Sequence, residues 1–116
     1  MKYRKNRKLR RTSEHRIATL RTMSSSLFEN ESINTTIAKA KEVSKFASKL
    51  ITKAKKGGLS NRRLAARDIK SAEVLAKLFG PLAERFKERK GGYTRIYRLG
   101  TRISDGTMMA VLKLVE

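Results

Sequence analysis

His15 is the side chain in this sequence that most readily suggests catalysis, because it is the only histidine and it closely follows Ser13 and Glu14. A hydroxyl, an acid and an imidazole in contact could form an activated nucleophile. Residues one or two positions apart on a helix do not face each other, however, so these three do not make a nucleophile-and-base pair. His15 is better suited to a polar or stacking contact with a phosphate or a base.

Metal sites and nucleotide-hydrolysing sites also lack the residues that they need. The absence of Cys excludes disulfides, thiolate zinc sites and iron–sulfur clusters. The ten acidic residues are scattered, and no pair has the spacing of metal ligands or of a general acid and base. Gly91-Gly92 lacks the Gly-x-x-x-x-Gly-Lys-Ser/Thr spacing of a phosphate loop. The sequence therefore predicts no enzyme, no metal, no cofactor and no small-molecule substrate.

Basic residues dominate the composition. The 116 residues include 29 Lys or Arg and 10 Asp or Glu, which gives a formal net charge of +19. The start of the chain is the extreme case, with these seven basic residues and no acid: Lys2, Arg4, Lys5, Arg7, Lys8, Arg10 and Arg11. Such a segment repels itself and has too little apolar surface to fold alone. We therefore predict an extended basic arm over residues 1–12 and a single folded domain over residues 13–116.

A charge of this size suits three classes of partner: nucleic acid, an anionic membrane or an acidic protein. A membrane is disfavoured, because the longest apolar run, Met108 to Leu112, is far shorter than the roughly 20 residues that span a bilayer. No apolar segment follows the basic start, so a secretory signal is not expected. A transit peptide is an alternative interpretation of the arm, but the helical pattern continues past Glu14 without a cleavage-like boundary.

Hydrophobic periodicity predicts the elements of the first half of the chain. A helix is expected from about Glu14 to Phe28 and a short strand over Ser32–Ile37. The strand runs directly into a long helix with an apolar stripe, which Gly57-Gly58 should end.

Shorter helices are expected in the second half, with Ser60 or Asn61 capping the first and Ser71 capping the next. Gly80-Pro81 should break the chain before a further helix.

A hairpin should end the chain, with a strand over Tyr93–Leu99, a bulge or bend at Gly100 and a turn at Asp105-Gly106. The last strand, Thr107–Val115, is apolar on both faces except at Lys113, so it should lie centrally in the sheet or under helices. The fold class is therefore α+β, with helices packed on one face of a small mixed three-stranded sheet.

Basic residues also cluster outside the arm, in several regions of the predicted domain. The long helix repeats lysine every four residues opposite its apolar stripe, and only Glu42 interrupts this basic face. The seven basic residues of the arm are candidate contacts to an anionic partner, and those in the first two helices are Arg21, Lys41, Lys45, Lys49 and Lys53. Those in the following regions are Arg62, Arg63, Arg67, Arg89, Lys90, Arg95, Arg98 and Arg102. Basic surface in so many places indicates a partner that surrounds the protein, and folded RNA fits best.

Two aromatic side chains, Tyr93 and Tyr97, are interleaved with the last basic cluster. Aromatic and basic residues together suit base or ribose stacking beside phosphate contacts. Ordinary packing within a strand is the alternative interpretation of both tyrosines.

Six short motifs occur in order along nearly the whole chain. They are Ser13-x-His15-Arg16, Thr35-Thr36-x-x-Lys39-Ala40-Lys41-Glu42, Asn61-Arg62-Arg63-Leu64-Ala65, Ala76-Lys77-Leu78-Phe79, Gly91-Gly92-Tyr93-Thr94-Arg95-Ile96 and Met109-Ala110. Together they resemble the L-seventeen family of bacterial large-subunit ribosomal proteins. The sequence departs from the family pattern at Lys2-Tyr3, at Arg10, at the position of Gly80-Pro81, and in lacking a proline in the last strand.

The resemblance implies a non-enzymatic component of the cytoplasmic ribosome. Such a protein would bind large-subunit rRNA near the exit of the peptide tunnel, beside neighbouring ribosomal proteins. It also implies rRNA contacts by His15, Arg16, Arg62, Arg63, Tyr93 and Arg95.

Two other functions are compatible with parts of the sequence. An architectural DNA-binding protein would need similar charge, but no helix-turn-helix, zinc finger or minor-groove wedge is evident. An RNA-modifying enzyme would need a catalytic group, and none is found.

Overall fold

A computed structural model describes residues 13–116, and its elements follow the order helix, strand, helices, hairpin. The first half contains α1 (Ser13–Asn30), β1 (Ser32–Thr36) and α2 (Ile37–Lys56). The second half contains α3 (Leu59–Ala66), α4 (Ala72–Lys77), a π-helical segment (Leu78–Leu82), α5 (Ala83–Arg85), β2 (Thr94–Thr101) and β3 (Met108–Leu114). The predicted α+β class is confirmed. The predicted arm, residues 1–12, lies outside the described residues.

The three strands form one sheet in the order β1-β3-β2. The last strand is expected to lie centrally or under helices, and β3 is both central and packed against the helices on one face. The prediction of a mixed sheet is wrong, because both pairs in the sheet are antiparallel. The hairpin makes β2 antiparallel to β3, and β1 pairs antiparallel with the other edge of β3. The edge strands β1 and β2 therefore run parallel to each other without touching.

One face of the sheet packs on the helices, and no element over residues 13–116 covers the other. On the packed face, Ala110, Leu112 and Leu114 of β3 belong to the same buried core as residues of α1 and α2. The alternate positions of the three strands point the other way. We call this side the open sheet face, and its central positions are Ser32, Asn34, Arg95, Tyr97, Val111 and Lys113.

Helix α2 forms the centre of the core, through an apolar stripe that includes Val43, Ala47 and Ile51. The helix begins after Thr36, whose side-chain hydroxyl accepts a hydrogen bond from the Lys39 amide at 3.4 Å. It ends as predicted at Gly57, where φ is +68° and the amide donates to the Lys53 carbonyl. A left-handed glycine is the usual way to end a helix, so the local sequence defines both ends of α2.

Helix α1 extends two residues beyond its predicted end and is followed by Glu31, the only non-glycine residue with positive φ among those described. The Glu31 carboxylate accepts from Arg85 at 2.8 Å and lies 3.3 Å from the Lys77 ammonium. Desolvation acts to raise the pKa of Glu31, but the hydrogen bonds and charges of Arg85 and Lys77 outweigh it and lower that pKa. This carboxylate therefore joins the turn after α1 to α4 and α5.

The predicted caps of the middle helices are partly wrong. Ser60 and Asn61 lie inside α3, and Gly58 precedes that helix without a side-chain cap. The Asn61 amide instead donates to the Gly57 carbonyl at 2.8 Å, which links α3 to the end of α2. The cap by Ser71 is confirmed, because its hydroxyl accepts from the Val74 amide at 3.4 Å.

Gly80-Pro81 does not break the helical path, contrary to the prediction. Both residues lie in the π-helical segment that joins α4 to α5. A wider helical turn is one way to accommodate a proline, which lacks an amide hydrogen and crowds the preceding turn. Leu78 and Leu82 on either side are fully buried, so the segment keeps its apolar face on the core.

The hairpin has the predicted irregularities. The register between β2 and β3 shifts between Arg98 and Gly100, and Gly100 has a φ of +110°. At the turn, the Asp105 carboxylate accepts from the Thr107 amide and from the side chain of Arg102. The hydrogen bonds from Arg102, with that from Thr107, lower the pKa of Asp105 well below its ordinary value.

Candidate nucleic-acid interface

The exposed side of α2 carries a continuous row of lysines, which we call the lysine face: Lys41, Lys45, Lys49, Lys53 and Lys56. Four of the five are exposed and Lys53 is partly exposed. None of them makes an ion pair with an acid among residues 13–116. Each like-charged pair at four-residue spacing costs a few tenths of a kcal/mol in a helix, so a bound polyanion would relieve repulsion along the whole row.

The acid that interrupts this helix in the sequence does not interrupt the lysine face in the structure. Glu42 is only 3% exposed and lies on the buried side of α2. The surface of α2 therefore presents a single sign of charge. Solvated helix faces usually mix both signs, so this arrangement favours an anionic partner.

Two concavities extend the lysine face onto neighbouring elements. One is lined by Lys45 and Lys49 together with Glu42, Gly92 and Thr94, beside the start of β2. The hydroxyls of Ser44 and Thr94 are 2.6 Å apart and join α2 to β2 there.

The second concavity is lined by Lys49, Lys53 and Lys56 with Asn61 of α3. Lys49 lines both concavities and therefore joins the one beside the Gly92 turn to the one at the beginning of α3.

Helix α3 adds the exposed Arg62 and Arg63, and its C-cap residue adds the exposed Arg67, as the sequence predicted. The Arg62 guanidinium lies 5.4 Å from the centre of the Phe79 ring, in cation–π geometry. This contact orients Arg62 while keeping its charge unneutralised. All three arginines are therefore available for phosphate contacts.

Two predicted contacts are already engaged with acids of the protein. The Nε of Arg21 donates to Asp68 at 2.7 Å, and Arg102 binds both oxygens of Asp105 at 3.1 and 2.9 Å. These pairs fix α1 against the segment after α3 and close the hairpin turn. Arg21 and Arg102 therefore serve local structure, and the candidate interface is better assigned to the other basic residues.

Tyr93 is buried and does not belong to the exposed basic surface. It is 3% exposed, and its ring packs edge-on against Phe86 with centroids 5.3 Å apart. The Lys55 ammonium donates to its hydroxyl at 2.9 Å, and this hydrogen bond is the main cause of a lowered pKa for Tyr93. A base cannot stack on a ring covered in this way. We therefore expect Tyr93 to contribute to packing, although it precedes β2 and packs in the core and not within a strand.

The other predicted residues are exposed or lie outside the described region. His15 is exposed and Arg16 is partly exposed in the first turn of α1, and four cations are exposed around the hairpin: Arg89, Lys90, Arg95 and Arg98. The predicted contacts of the arm lie in residues 1–12, outside the described part of the chain.

Sequence reasoning missed Lys113 and left Tyr97 out of the predicted contacts. Lys113 is exposed on β3 directly opposite Arg95, and Tyr97 is exposed on the next row of the same face. The available signal was a single lysine in an otherwise apolar strand, but its significance depends on the register between two strands.

Over residues 13–116, no group of three or more potential ligands is arranged to hold a metal ion, and no helix is long and apolar enough to cross a membrane.

Comparison with known proteins gives a consistent result. The family model of Ribosomal protein L17 matches residues 19–115. The chain is similar to Large ribosomal subunit protein bL17 of Zymomonas mobilis, with 54% identity over 110 residues, which are 95% of this chain and 79% of that protein. The proteins of the same name from Sphingopyxis alaskensis and Anaeromyxobacter dehalogenans are 53% and 54% identical over the same length, which covers 79% and 68% of those proteins.

Proposed function

The chain belongs to the Ribosomal protein L17 family, as its motifs predicted, and on that basis we propose that it is a structural constituent of the large ribosomal subunit that binds folded rRNA. Its place of action is then the ribosome in the cytoplasm, among neighbouring large-subunit proteins. The family consists of structural ribosomal proteins, so the prediction that the chain is not an enzyme is confirmed.

The lysine face is the observation that supports rRNA binding most directly. It carries five lysines on one helix, and a concavity joins three of them to Asn61 of α3, which precedes Arg62 and Arg63. Further exposed cations lie on the hairpin, which belongs to a different part of the fold. Folded RNA presents phosphates from several directions and can contact all these elements at once. We also propose, from the resemblance, a position near the exit of the peptide tunnel.

An architectural DNA-binding protein is the second candidate. The same cations would neutralise duplex phosphates. The basic residues of α2 and α3 are, however, spread along the helices and are not concentrated at the end of one helix that could enter a groove. The observed α+β fold also has no helix-turn-helix arrangement placed for the major groove over residues 13–116. We therefore favour RNA.

Competition binding of the full-length chain would test the proposal. At about 150 mM salt, folded fragments of large-subunit rRNA should compete better than duplex DNA of equal phosphate content. Preference for the DNA would contradict the proposal. In cells, sucrose-gradient fractionation should place the protein in large subunits, and its absence from them at native salt would also contradict it.

The lysine face can be tested separately by replacing Lys41, Lys45, Lys49 and Lys53 with Gln, which keeps helix propensity. Each lost phosphate contact lowers the dependence of log affinity on log salt by about 0.7 to 0.9, so the quadruple variant should lose about 3 units of slope. Replacement of the same four by Arg is the matched control and should keep the slope. An unchanged slope in the Gln variant would exclude the lysine face from the interface.

A further inference from the structure

The open sheet face combines cations, an aromatic ring and small polar side chains in regular rows. One row consists of Ser32, Lys113 and Arg95, and the next consists of Asn34, Val111 and Tyr97. Neither row contains an acidic residue. The helices pack on the opposite side of the sheet, so among the described residues no element covers these rows.

Arg95 and Lys113 are an unfavourable pair in the free protein. They are direct register partners on adjacent antiparallel strands, and both are exposed. Like charges placed directly opposite each other destabilise a sheet. Neither side chain has an ion pair with any described acid, although Glu116 lines the same concavity. An anion held between the two cations would convert this repulsion into attraction.

Tyr97 lies two residues from Arg95 along β2, about 7 Å away on the same face. Its side chain is 48% exposed, and its register partner on the central strand is Val111. Tyr97, Arg95 and Lys113 line one concavity together with Arg89. An accessible ring beside a group of cations has the composition of a single-stranded nucleic-acid site, in which bases stack and phosphates are neutralised.

We propose that the open sheet face binds an unpaired nucleotide of rRNA, with its base stacked on Tyr97 and an adjacent phosphate held between Arg95 and Lys113. This inference rests on the proposed function and specifies the kind of RNA structure that one surface recognises. The lysine face is suited to the phosphates of any RNA strand. The open sheet face, in contrast, requires a base whose flat surface is free, which a continuous duplex does not provide.

A fluorescent reporter can detect the stacking directly. The chain contains no Trp, so Tyr97→Trp in the full-length protein would place a unique fluorophore on this face. A single-stranded RNA of twelve adenosines should quench its emission, and a twelve-base-pair duplex RNA should quench it much less. Leu59→Trp is the matched control, because Leu59 is exposed at the start of α3, away from the sheet.

Affinity measurements separate stacking from charge. Tyr97→Leu keeps an apolar side chain but removes the ring, and it should weaken binding of the adenosine twelve-mer about fivefold or more, while Tyr97→Phe should bind like the wild type. Arg95→Gln with Lys113→Gln should reduce the salt dependence for single-stranded RNA by about 0.7 for the one shared phosphate. The same double variant should unfold at an equal or higher urea concentration, because it removes a like-charged pair.

The outcomes distinguish this inference from the proposed function. Equal affinity of Tyr97→Leu and wild type for the twelve-mer would overturn the inference. So would a Tyr97→Trp reporter that single-stranded and duplex RNA quench equally, to the same extent as the Leu59→Trp control. The proposed function would still stand if the lysine-face variant lost affinity for folded rRNA. The open sheet face could also be crosslinked to its neighbours in the ribosome. If Tyr97→Leu kept normal RNA affinity but lost a crosslink to a ribosomal protein, the occupant of this face would be a protein, and the inference would be overturned.

Discussion

The carboxylate of Glu31 offers the sharpest test of how this fold is held together. It forms salt bridges with Arg85 at 2.8 Å and with Lys77 at 3.3 Å, both in helices distant in sequence. Its side chain is 37% exposed, so solvent weakens both pairs. Partly exposed ion pairs contribute about 0.2 to 1 kcal/mol each, and Glu31→Gln should therefore lower the free energy of unfolding by about 1 kcal/mol. For a domain of this size that corresponds to a decrease in Tm of about 4 °C.

Salt and pH should both change the difference in the free energy of unfolding between Glu31→Gln and wild type. At 1 M salt the Debye length is about 3 Å, so most of the difference should disappear. Because the pKa of Glu31 is lowered in the folded state, its contribution is complete above the ordinary value of 4.5 and is lost as the pH falls through the folded pKa. Urea unfolding at pH 7 and at a series of pH values below 4.5 would measure both effects.

A double-mutant cycle with Arg85→Gln assigns the energy to the pair itself. The coupling between Glu31→Gln and Arg85→Gln should be about 0.5 kcal/mol or more, because the two groups are in direct contact. Equal stability of wild type and Glu31→Gln at low salt would refute the reasoning. So would a stability loss that persists unchanged at 1 M salt, since it would arise from packing or from the positive φ of residue 31 and not from charge.

Three further predictions concern other parts of the chain. Tyr93→Phe removes the hydrogen bond from Lys55 and should cost about 1 kcal/mol in urea unfolding without changing rRNA affinity; weaker rRNA binding by the folded variant would indicate a direct contact. Gly100→Ala forces a side chain onto a φ of +110° and should cost about 1 to 3 kcal/mol, although no neighbour obstructs its Cβ; unchanged stability would show that the bulge relaxes. Deletion of residues 1–11 should lower the salt slope of rRNA binding by about 4 to 7, if the arm makes roughly 6 to 8 phosphate contacts; an unchanged slope would make the arm dispensable.

Local signals in the sequence predicted the features that depend on local structure. The apolar stripe and glycine end of α2, the cap at Ser71, the bulge at Gly100 and the turn at Asp105 are all found. Each depends on residues within a few positions of one another, where backbone preferences act directly. The lysine face was predicted for the same reason, because helical periodicity alone determines which side chains share a face.

The errors arose where distant parts of the chain determine the outcome. Alternation along the hairpin predicted Tyr93 and Tyr97 on the same face of one strand. In the structure Gly92 has a φ of +61° and the regular strand begins only at Thr94. Tyr93 is thereby free to enter the core and meet Lys55, 38 residues earlier in the chain. The pairing of Arg95 with Lys113 likewise depends on strand register, which composition and periodicity do not reveal.

The sheet order also has a consequence for the synthesis of this protein. The central strand β3 is the last element of the described chain, and β1 and β2 pair only with it. Neither edge strand has a hydrogen-bonding partner until residues 108–114 have emerged from the translating ribosome. The pairing of β1 then closes a loop of more than 70 residues, which is an intrinsically slow step. A chain terminated before β3 could form α2 but would leave the β1 and β2 segments unpaired. The sheet can therefore form only after translation has passed Leu114.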